Sequence, residues 1–276
     1  MNYIGWLSAM IVTTMFLAGS AGAQGSGPTT PPMVGKVLVK GSPIHGANGI
    51  RFDSQGRLCI ASVMGHEIVV MDPATGKIME RLGPEKDVSW PDDLAFGPDG
   101  SVYWTSLVTG HVGRLSPDGL TKTQFVAVGA NPITFAPDGR MFVGLFLMGD
   151  GLYQVDPELT APPVAKSKDP GMLNAFAFGP DGLLYSPVPF AGMIVRMNVD
   201  LPHVAYQPLA TGLGFPTAVK FNSRGQLYGH SQLSGEVWRL DPATGTRQTI
   251  ATVTPGTDNL AFDARDRLFV SHAHDG

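Results

Sequence analysis

Cysteine and charged residues are scarce in this chain of 276 residues. Cys59 is the single cysteine, so no disulfide can form within the chain. Charged residues make up 15%, below the usual quarter of a globular protein. The 19 Lys and Arg are outnumbered by 23 Asp and Glu, which gives a net charge of −4 with no basic run. Because nucleic-acid binding needs a concentrated positive surface, we do not expect DNA or RNA as a partner.

The sequence also lacks the short motifs of several enzyme classes. It contains no H-E-x-x-H, no G-x-S-x-G, no P-loop and no three-glycine dinucleotide fingerprint. No helical period long enough for a crossover helix separates the predicted strands, which disfavours a parallel α/β fold. The chain is rich instead in glycine (35) and proline (23), and 43% of its residues are hydrophobic. This mixture predicts many turns around a substantial apolar core.

The amino terminus has the pattern of a secretory signal. Residues 4–18 are an uncharged apolar run, and the small-residue site Ala21-Gly22-Ala23 follows it. We therefore predict a signal peptide over 1–23, a flexible leader over 24–35 and a periplasmic or secreted domain over 36–276, with no membrane span after cleavage. No Lys or Arg precedes the apolar run, which leaves an uncleaved membrane anchor as the alternative.

The remainder of the chain repeats one pattern six times. Each repeat has a strand, a tight turn and a second strand, and the turn residue recurs every 39 to 44 residues. The turn positions are Gly56, Gly100, Gly139, Gly182, Gly225 and Asp266. Pro-Asp-Gly and its variants suit a hairpin, because they supply a preset φ and then a residue tolerant of positive φ.

Two further strands follow each hairpin except the last, so the sequence predicts an all-β fold, a six-bladed β-propeller of four-stranded antiparallel blades. A β-sandwich is the alternative, although sandwiches do not repeat their sequence in this way. The sixth repeat stops at Gly276 before its third strand. We expect the segment 35–41 to close this incomplete blade from the amino end, and we take the chain to be a truncated form unless a neighbouring segment fills the gap.

The repeat register selects a ring of polar side chains at the channel mouth. Each is at the start of an innermost strand; in chain order they are Asn48, Asp92, Asn131, Asn174, Thr217 and Asp258. Burying such groups without partners is costly, and carboxylate and amide oxygens suit Ca²⁺ or Mg²⁺. We predict a metal site formed by Asn48, Asp92, Asn131, Asn174 and Asp258, with a hydrated channel as the alternative.

The loops after the second strands bring aromatic, apolar and histidine side chains to the same mouth. They are Met64, His66, Trp104, His111, Phe146, Phe190, His230, His272 and His274, with Trp90 and Asp93 beside the ring. Such a mouth favours a small, weakly polar substrate over a protein partner. His230 and His272 are candidate general bases, although for each taken alone an ordinary loop histidine is the stronger interpretation. Cys59 is predicted to be a buried, inert thiol.

From Ala47 onwards, the repeats resemble the gluconolactonase and senescence-marker-protein family of six-bladed propellers. The match rests on Ala47-Asn48-Gly49-Ile50, on Pro91-Asp92-Asp93-Leu94 and, less closely, on Ala130-Asn131-Pro132-Ile133 and Thr257-Asp258-Asn259-Leu260. This resemblance implies a hydrolase of lactones with a divalent cation, commonly Ca²⁺, held by one Glu, two Asn and one Asp. Asn48 stands where the family has its glutamate, and Thr217 where it has a ligand Asp.

These observations predict an exported, monomeric, metal-dependent hydrolase that acts on a small lactone or ester. The expected mechanism is water attack on a carbonyl polarised by the cation, with Asp92, Asp258 or a rim histidine accepting the proton. One alternative is a non-catalytic propeller, similar to NHL repeats, that binds a ligand or protein in the cell envelope. A lyase that resembles virginiamycin B lyase is the other.

Overall fold

The structure is a computed structural model in which residue 33 and the ranges 35–39 and 43–273 are described. The predicted signal peptide, most of the predicted leader and His274 lie outside these residues. Among the described residues, no helix is long and apolar enough to cross a membrane. The two helical segments are single 3₁₀ turns, Pro84–Lys86 and Pro189–Ala191. All other regular structure within this part of the chain is β-strand.

The first three repeats form three four-stranded antiparallel sheets, each with its strands in chain order. The first sheet is β1 (Ala47–Phe52), β2 (Leu58–Ser62), β3 (Glu67–Met71) and β4 (Ile78–Leu82). The second is β5 (Pro91–Phe96), β6 (Val102–Ser106), β7 (His111–Leu115) and β8 (Thr121–Phe125). The third is β9 (Ala130–Phe135), β10 (Met141–Leu145), β11 (Leu152–Val155) and β12 (Val164–Ser167).

Repeats four and five continue the pattern, and the sixth is shorter. The fourth sheet is β13 (Ala177–Phe178), β14 (Leu184–Val188), β15 (Met193–Met197) and β16 (Tyr206–Ala210). The fifth is β17 (Pro216–Phe221), β18 (Leu227–Ser231), β19 (Glu236–Leu240) and β20 (Arg247–Thr252). The sixth repeat forms a two-stranded sheet, β21 (Thr257–Phe262) and β22 (Leu268–His272).

The innermost strands form a closed ring. Each contacts the innermost strand of the sheets on either side, and β21 contacts both β17 and β1. The prediction of a propeller with four-stranded blades is confirmed for five sheets. The described residues do not give a complete sixth blade.

Alternating side chains of the inner strands build the core between neighbouring sheets. In β5, Leu94 packs toward the first sheet with Ile68, whereas Ala95 packs toward the third sheet with Ile133. This follows from the pleat, which directs successive side chains to opposite faces of a strand. Each blade therefore buries both of its faces against its neighbours.

The amino-terminal segment does not form the predicted closing strand in its described part, residues 35–39. The Met33 amide donates to the Ile250 carbonyl of β20 at 2.8 Å, and Leu38 and Val39 pack on the core cluster that contains Ile50. The Leu38 carbonyl also lies against Gly76 in the β3–β4 turn. Within its described residues, the segment thus contacts the fifth and first blades through packing and one hydrogen bond rather than through a strand ladder.

Candidate functional site

A β-bulge marks the ring register in five of the six innermost strands, and in four of them it spans two residues; in β17 the irregularity falls at Thr217. In β5, the pairs Pro91–Ser106 and Leu94–Trp104 flank the bulge, so that Asp92 and Asp93 both lie opposite Thr105. Equivalent interruptions place Asn48–Gly49 in β1, Asn131–Pro132 in β9 and Asp258–Asn259 in β21. A bulge bends its strand and redirects side chains, and such bulges are frequent beside active sites. In these four repeats, two consecutive residues at the ring position therefore lie opposite one residue of the partner strand.

The predicted ring residues are buried, as their register suggested. Asp92, Asn131, Asn174, Thr217 and Asp258 are each exposed by 8% or less, and Asn48 is half-buried. Whether any of them binds a metal or takes part in catalysis stays a prediction.

Two carboxylates of this ring, Asp92 and Asp258, have strongly raised pKa values. Burial raises the pKa of Asp92 well above its ordinary value, and the charges of Asp258 and Asp93 add to the effect. Burial, together with Asp93, raises the pKa of Asp258 to about 7. Within the described residues, the Oδ1 atom of Asp92 is buried without a hydrogen-bond partner. Removing an unpaired carboxylate from water is unfavourable, so a cation or a proton is required here.

The donors at this ring fit a hard cation. The described residues contain no group of three or more His, Cys, Asp or Glu arranged around a common metal position. A site would therefore need Asn131, Asn174 or Asn48 in addition to the two carboxylates, and such all-oxygen sets suit Ca²⁺. Asn174 already uses its side-chain oxygen to accept the Ala175 amide at 2.7 Å. The buried, unpartnered oxygen of Asp92 is the observation that favours a cation.

Asp93 has a different role from its neighbour. Its Oδ1 accepts from the Asn259 side-chain amide at 3.0 Å, and its Oδ2 accepts from the Ile133 main-chain amide at 3.2 Å. Arg51 lies 3.9 Å from Oδ2. One carboxylate thus connects four of the six repeats across the channel. The sequence had placed Asp93 beside the ring, but it gave no reason to select Asn259 or Arg51.

His230 lies in the interior of the fifth blade. Its Nε2 is 3.0 Å from the Asp258 carbonyl, which must accept a proton, so Nε2 carries the hydrogen and Nδ1 accepts from the Thr257 hydroxyl at 2.7 Å. Burial lowers the pKa of His230 to about 4, so the ring is neutral at pH 7. The imidazole therefore supports the main chain of Asp258. A direct part in proton transfer stays a prediction.

The second histidine candidate lies on the sixth repeat. His272 is half-buried at the end of β22, and its Nε2 is 2.8 Å from the Pro255 carbonyl. Thr257 links the two histidines, because it pairs with His272 across the sheet and contacts His230 through its hydroxyl. The two candidates are therefore neighbours, one inside the sheet and one at its end.

The aromatic rim is built mainly by the third and fourth repeats. Phe146 and Phe190 stack at 5.8 Å between ring centroids, and Phe215 meets Phe190 edge-on at 5.4 Å. An open cavity of about 390 Å³ is lined by Leu147, Asp150, Gly171, Met172 and Phe190.

The backbone around this cavity is unusual. Leu147 and Met172 adopt left-handed φ values of 60° and 59°, and the Asp150 carboxylate accepts from the main-chain amides of Gly171 and Met172. Strained residues that are held by specific hydrogen bonds are typical of binding sites. Met172, which lines the cavity, precedes the ring residue Asn174 by two positions in the chain.

The other predicted mouth residues are divided among several environments. Trp104 is in the core between the first and second sheets and is 2% exposed, so its assignment to the mouth was wrong. His66 packs edge-on against Trp90 at 4.1 Å, and His111 packs against Phe125. Met64 is exposed. Cys59 is buried as predicted, and burial raises the pKa of its thiol to about 12, which disfavours the reactive thiolate.

Comparison with known proteins gives similarity of structure without similarity of sequence. No protein-family model matches the chain, and no curated protein matches it. Regucalcin from Agrobacterium tumefaciens, described as a calcium-binding protein, has 19% identity and a TM-score of 0.71, with 88% of this chain and 87% of that chain covered.

Two further solved structures are similar. A gluconolactonase from Xanthomonas campestris has 16% identity and a TM-score of 0.70, with 91% of this chain and 96% of that chain covered. Virginiamycin B lyase from Staphylococcus aureus has 13% identity and a TM-score of 0.64, with 85% and 87% covered. The chain thus has a propeller fold similar to that of gluconolactonases and regucalcin.

Proposed function

We propose that this protein is an exported lactonase-type hydrolase that opens a small lactone or ester at the channel mouth and uses a divalent cation, with Ca²⁺ the expected ion. The observation that carries the proposal is the buried Asp92 carboxylate, which has an unpartnered oxygen and a second carboxylate, Asp258, close enough to raise its pKa. The fold shared with gluconolactonases supports the reaction class, and the calcium-binding neighbour supports the ion.

The residues that would hold the cation are Asp92 and Asp258 with the amides of Asn131, Asn174 and Asn48. When bound, a divalent cation supplies a Lewis acid that stabilises negative charge developing on a carbonyl oxygen. Its charge would also lower the pKa of both aspartates, as cations do for nearby carboxylates.

Asp258 is the group best suited to move a proton. Without the cation its pKa is about 7, and the bound cation would keep the carboxylate ionised, so that Asp258 can accept a proton from an attacking water. His230 holds the Asp258 main chain through its hydrogen bond to the carbonyl. The cavity beside Phe190 would take the apolar part of the substrate and shield the ring from bulk water.

Metal analysis and a lactone panel test this proposal together. We expect the purified protein to bind one Ca²⁺ per chain, to melt at a higher temperature with Ca²⁺ than with EDTA, and to hydrolyse a lactone. Asp92→Asn and Asp258→Asn should each lose the Ca²⁺-dependent shift and at least a hundredfold in kcat. Asp118→Asn, in the exposed β7–β8 turn, is the matched control and should retain both.

Two results would contradict the proposal. Absence of bound metal together with absence of hydrolysis across lactones and esters would leave a binding propeller as the better interpretation. Hydrolysis unaffected by both aspartate variants would place the chemistry elsewhere. Export is tested separately, by locating the protein after cell fractionation.

A further inference from the structure

Two cationic side chains, Arg51 and Lys220, lie at one register of the inner strands. Arg51 lies three residues after Asn48 in β1, and Lys220 lies three residues after Thr217 in β17. Each therefore follows a ring residue by the same interval. The sheets that carry them flank the two-stranded sixth sheet.

Lys220 is buried to a degree that is rare for lysine. The residue is 7% exposed, and its Nζ donates to the Phe176 carbonyl at 3.1 Å. An ammonium group has three hydrogens to donate, and within the described residues this neutral acceptor is the partner it has. The charged groups that act on it are Arg51, which is repulsive, and Asp93, which is attractive.

Arg51 competes for the same carboxylate. Its Nη2 lies 3.9 Å from the Asp93 Oδ2, and its Nη1 donates to the Ile50 carbonyl at 3.3 Å. Asp93 is already committed to Asn259 and Ile133. The charged groups of this part of the channel are therefore Arg51, Lys220 and Asp93. Asp92 and Asp258 also act on Asp93, but the proposed divalent cation would balance their two charges, which leaves an excess of one positive charge.

Such an excess is unfavourable in a buried site unless an anion compensates it. The pKa of Lys220 is accordingly well below its ordinary value, first because of burial and then because of Arg51. A bound monoanion would balance the charge and give the ammonium a charged acceptor. A dianion such as phosphate fits less well, because Asp93 lies against Arg51 and would repel the second charge.

We propose that Arg51 and Lys220 form a binding site for the carboxylate of a small molecule in the channel. This inference rests on the proposed hydrolase function and narrows it: the preferred substrate is a lactone or ester that carries a carboxylate. The carboxylate is held by the two cations, and the scissile bond lies at the ring of Asp92 and Asp258.

Binding of butyrate tests the site without requiring any reaction. We expect butyrate, titrated at constant ionic strength and followed by NMR chemical shifts, to bind at least tenfold more tightly than its neutral isostere butyramide. Lys220→Met and Arg51→Met should each weaken butyrate binding at least tenfold. Lys122→Met, on the exposed outer strand β8, is the matched control and should bind like the unmodified protein.

Two outcomes would overturn the carboxylate site: butyrate binding that is equal in the Lys220→Met and Lys122→Met variants, or butyrate and butyramide that bind equally. If Lys220→Met fails to fold, Lys220→Gln and Arg51→Gln, which retain polar contacts, provide the same comparison. Circular dichroism of each variant establishes that it is folded before the titration.

Kinetics separate this inference from the proposed function. For a butyrolactone bearing a carboxylate and its carboxamide counterpart, the ratio of kcat/KM should fall at least tenfold in Lys220→Met. An unchanged ratio with active enzyme overturns the carboxylate site and leaves the hydrolase. The Asp92→Asn variant should lose hydrolysis and still bind butyrate. If the unmodified protein binds butyrate but hydrolyses no substrate, the proposed hydrolase function is overturned and the carboxylate site remains.

Discussion

At the scale of single residues, burial decides the chemistry of the channel. Asp92, Asp258, His230 and Lys220 are all removed from water, and in each case burial is the largest cause of the pKa change. In every case the change favours the neutral form, as expected when charge is desolvated. A cation bound at the ring would favour the ionised form of Asp92 and Asp258, and an anion bound at Lys220 would favour its protonated form. The channel therefore suits a cation at the ring and an anion at Lys220.

Asp258 should make the cation-free protein less stable as pH rises. The pKa of Asp258 is about 7 in the folded protein against an ordinary value of 3.8. Its contribution to the free energy of unfolding is therefore fully present below about pH 4 and is lost as pH rises through 7. The loss for this group is on the order of 4 kcal/mol, at 1.36 kcal/mol per pKa unit. Urea unfolding in EDTA from pH 4 to 8 should show this decline, and Asp258→Asn should reduce it. An identical decline in the variant would contradict the assignment.

His230 should behave as a structural group with the opposite pH sign. Its folded pKa is about 4, so its contribution to stability is present above about pH 6.5 and is lost as pH falls through 4. His230→Ala leaves the Asp258 carbonyl and two hydroxyls without a partner, at a cost of about 1–3 kcal/mol for each buried group left unsatisfied. Urea unfolding at pH 7 measures the loss. A variant of unchanged stability but abolished turnover would instead identify His230 as the general base.

At the scale of elements, the inner strands and their partners are fitted by small residues at fixed points. Gly49 lies against the bulge of β5, and a Cβ there would come within 2.6 Å of the Asp93 Cα. Gly113 and Gly229 leave space for the rings of Trp104 and Trp238, their cross-strand partners. These glycines are required by close packing rather than by backbone conformation.

Gly229→Ala should therefore be destabilising. The added Cβ would lie 2.2 Å from the Trp238 ring and 2.8 Å from the Ala218 carbonyl, so the buried tryptophan must move. Overpacking of this kind costs about 1–3 kcal/mol. Urea unfolding measures the change, and Trp238→Phe in the same chain should recover part of it. Gly83→Ala, where the Cβ meets the flexible Glu85 side chain, is the control; equal effects at both positions would contradict the packing argument.

At the scale of the whole molecule, the ring of inner strands is closed although the described residues of the sixth repeat form two strands. β21 completes the ring between β17 and β1, so six innermost strands surround the channel. The amino-terminal segment contacts the blades on both sides of this repeat, at Ile250 and at Gly76. Closure of the ring thus depends both on the sixth repeat and on the amino-terminal segment.

Replacing Leu38 and Val39 together by alanine should lower the stability of the whole domain. Both side chains are partly buried on the cluster between the sixth and first sheets. Their loss should cost about 2–4 kcal/mol, less than two fully buried substitutions would. Val37→Ala, at a neighbouring position that is 63% exposed, is the matched control and should change little in the same urea titration. Equal stabilities would show that the segment does not contribute to closure.

The repeat pattern by itself determined the strand order, the hairpin positions and the polar register of the ring, because these depend on local turn chemistry and on period-two alternation. The closing strand predicted over 35–41 is not confirmed: its alternating apolar residues suit a strand, but residues 35–39 form none, because pairing needs a partner that sequence spacing does not supply. Trp104 was misplaced because a strand residue near a loop can face the core as readily as the mouth.

The tertiary structure decided what each ring residue experiences. The bulges turned Asp93 and Asn259 inward beside Asp92 and Asp258, and folding brought Arg51 and Lys220, 169 positions apart in sequence, to one part of the channel. Their pKa values depend on burial and on charges from other blades, which are properties of the closed ring. Local sequence therefore specified the blades, whereas the electrostatics of the site arose from long-range contacts across the axis.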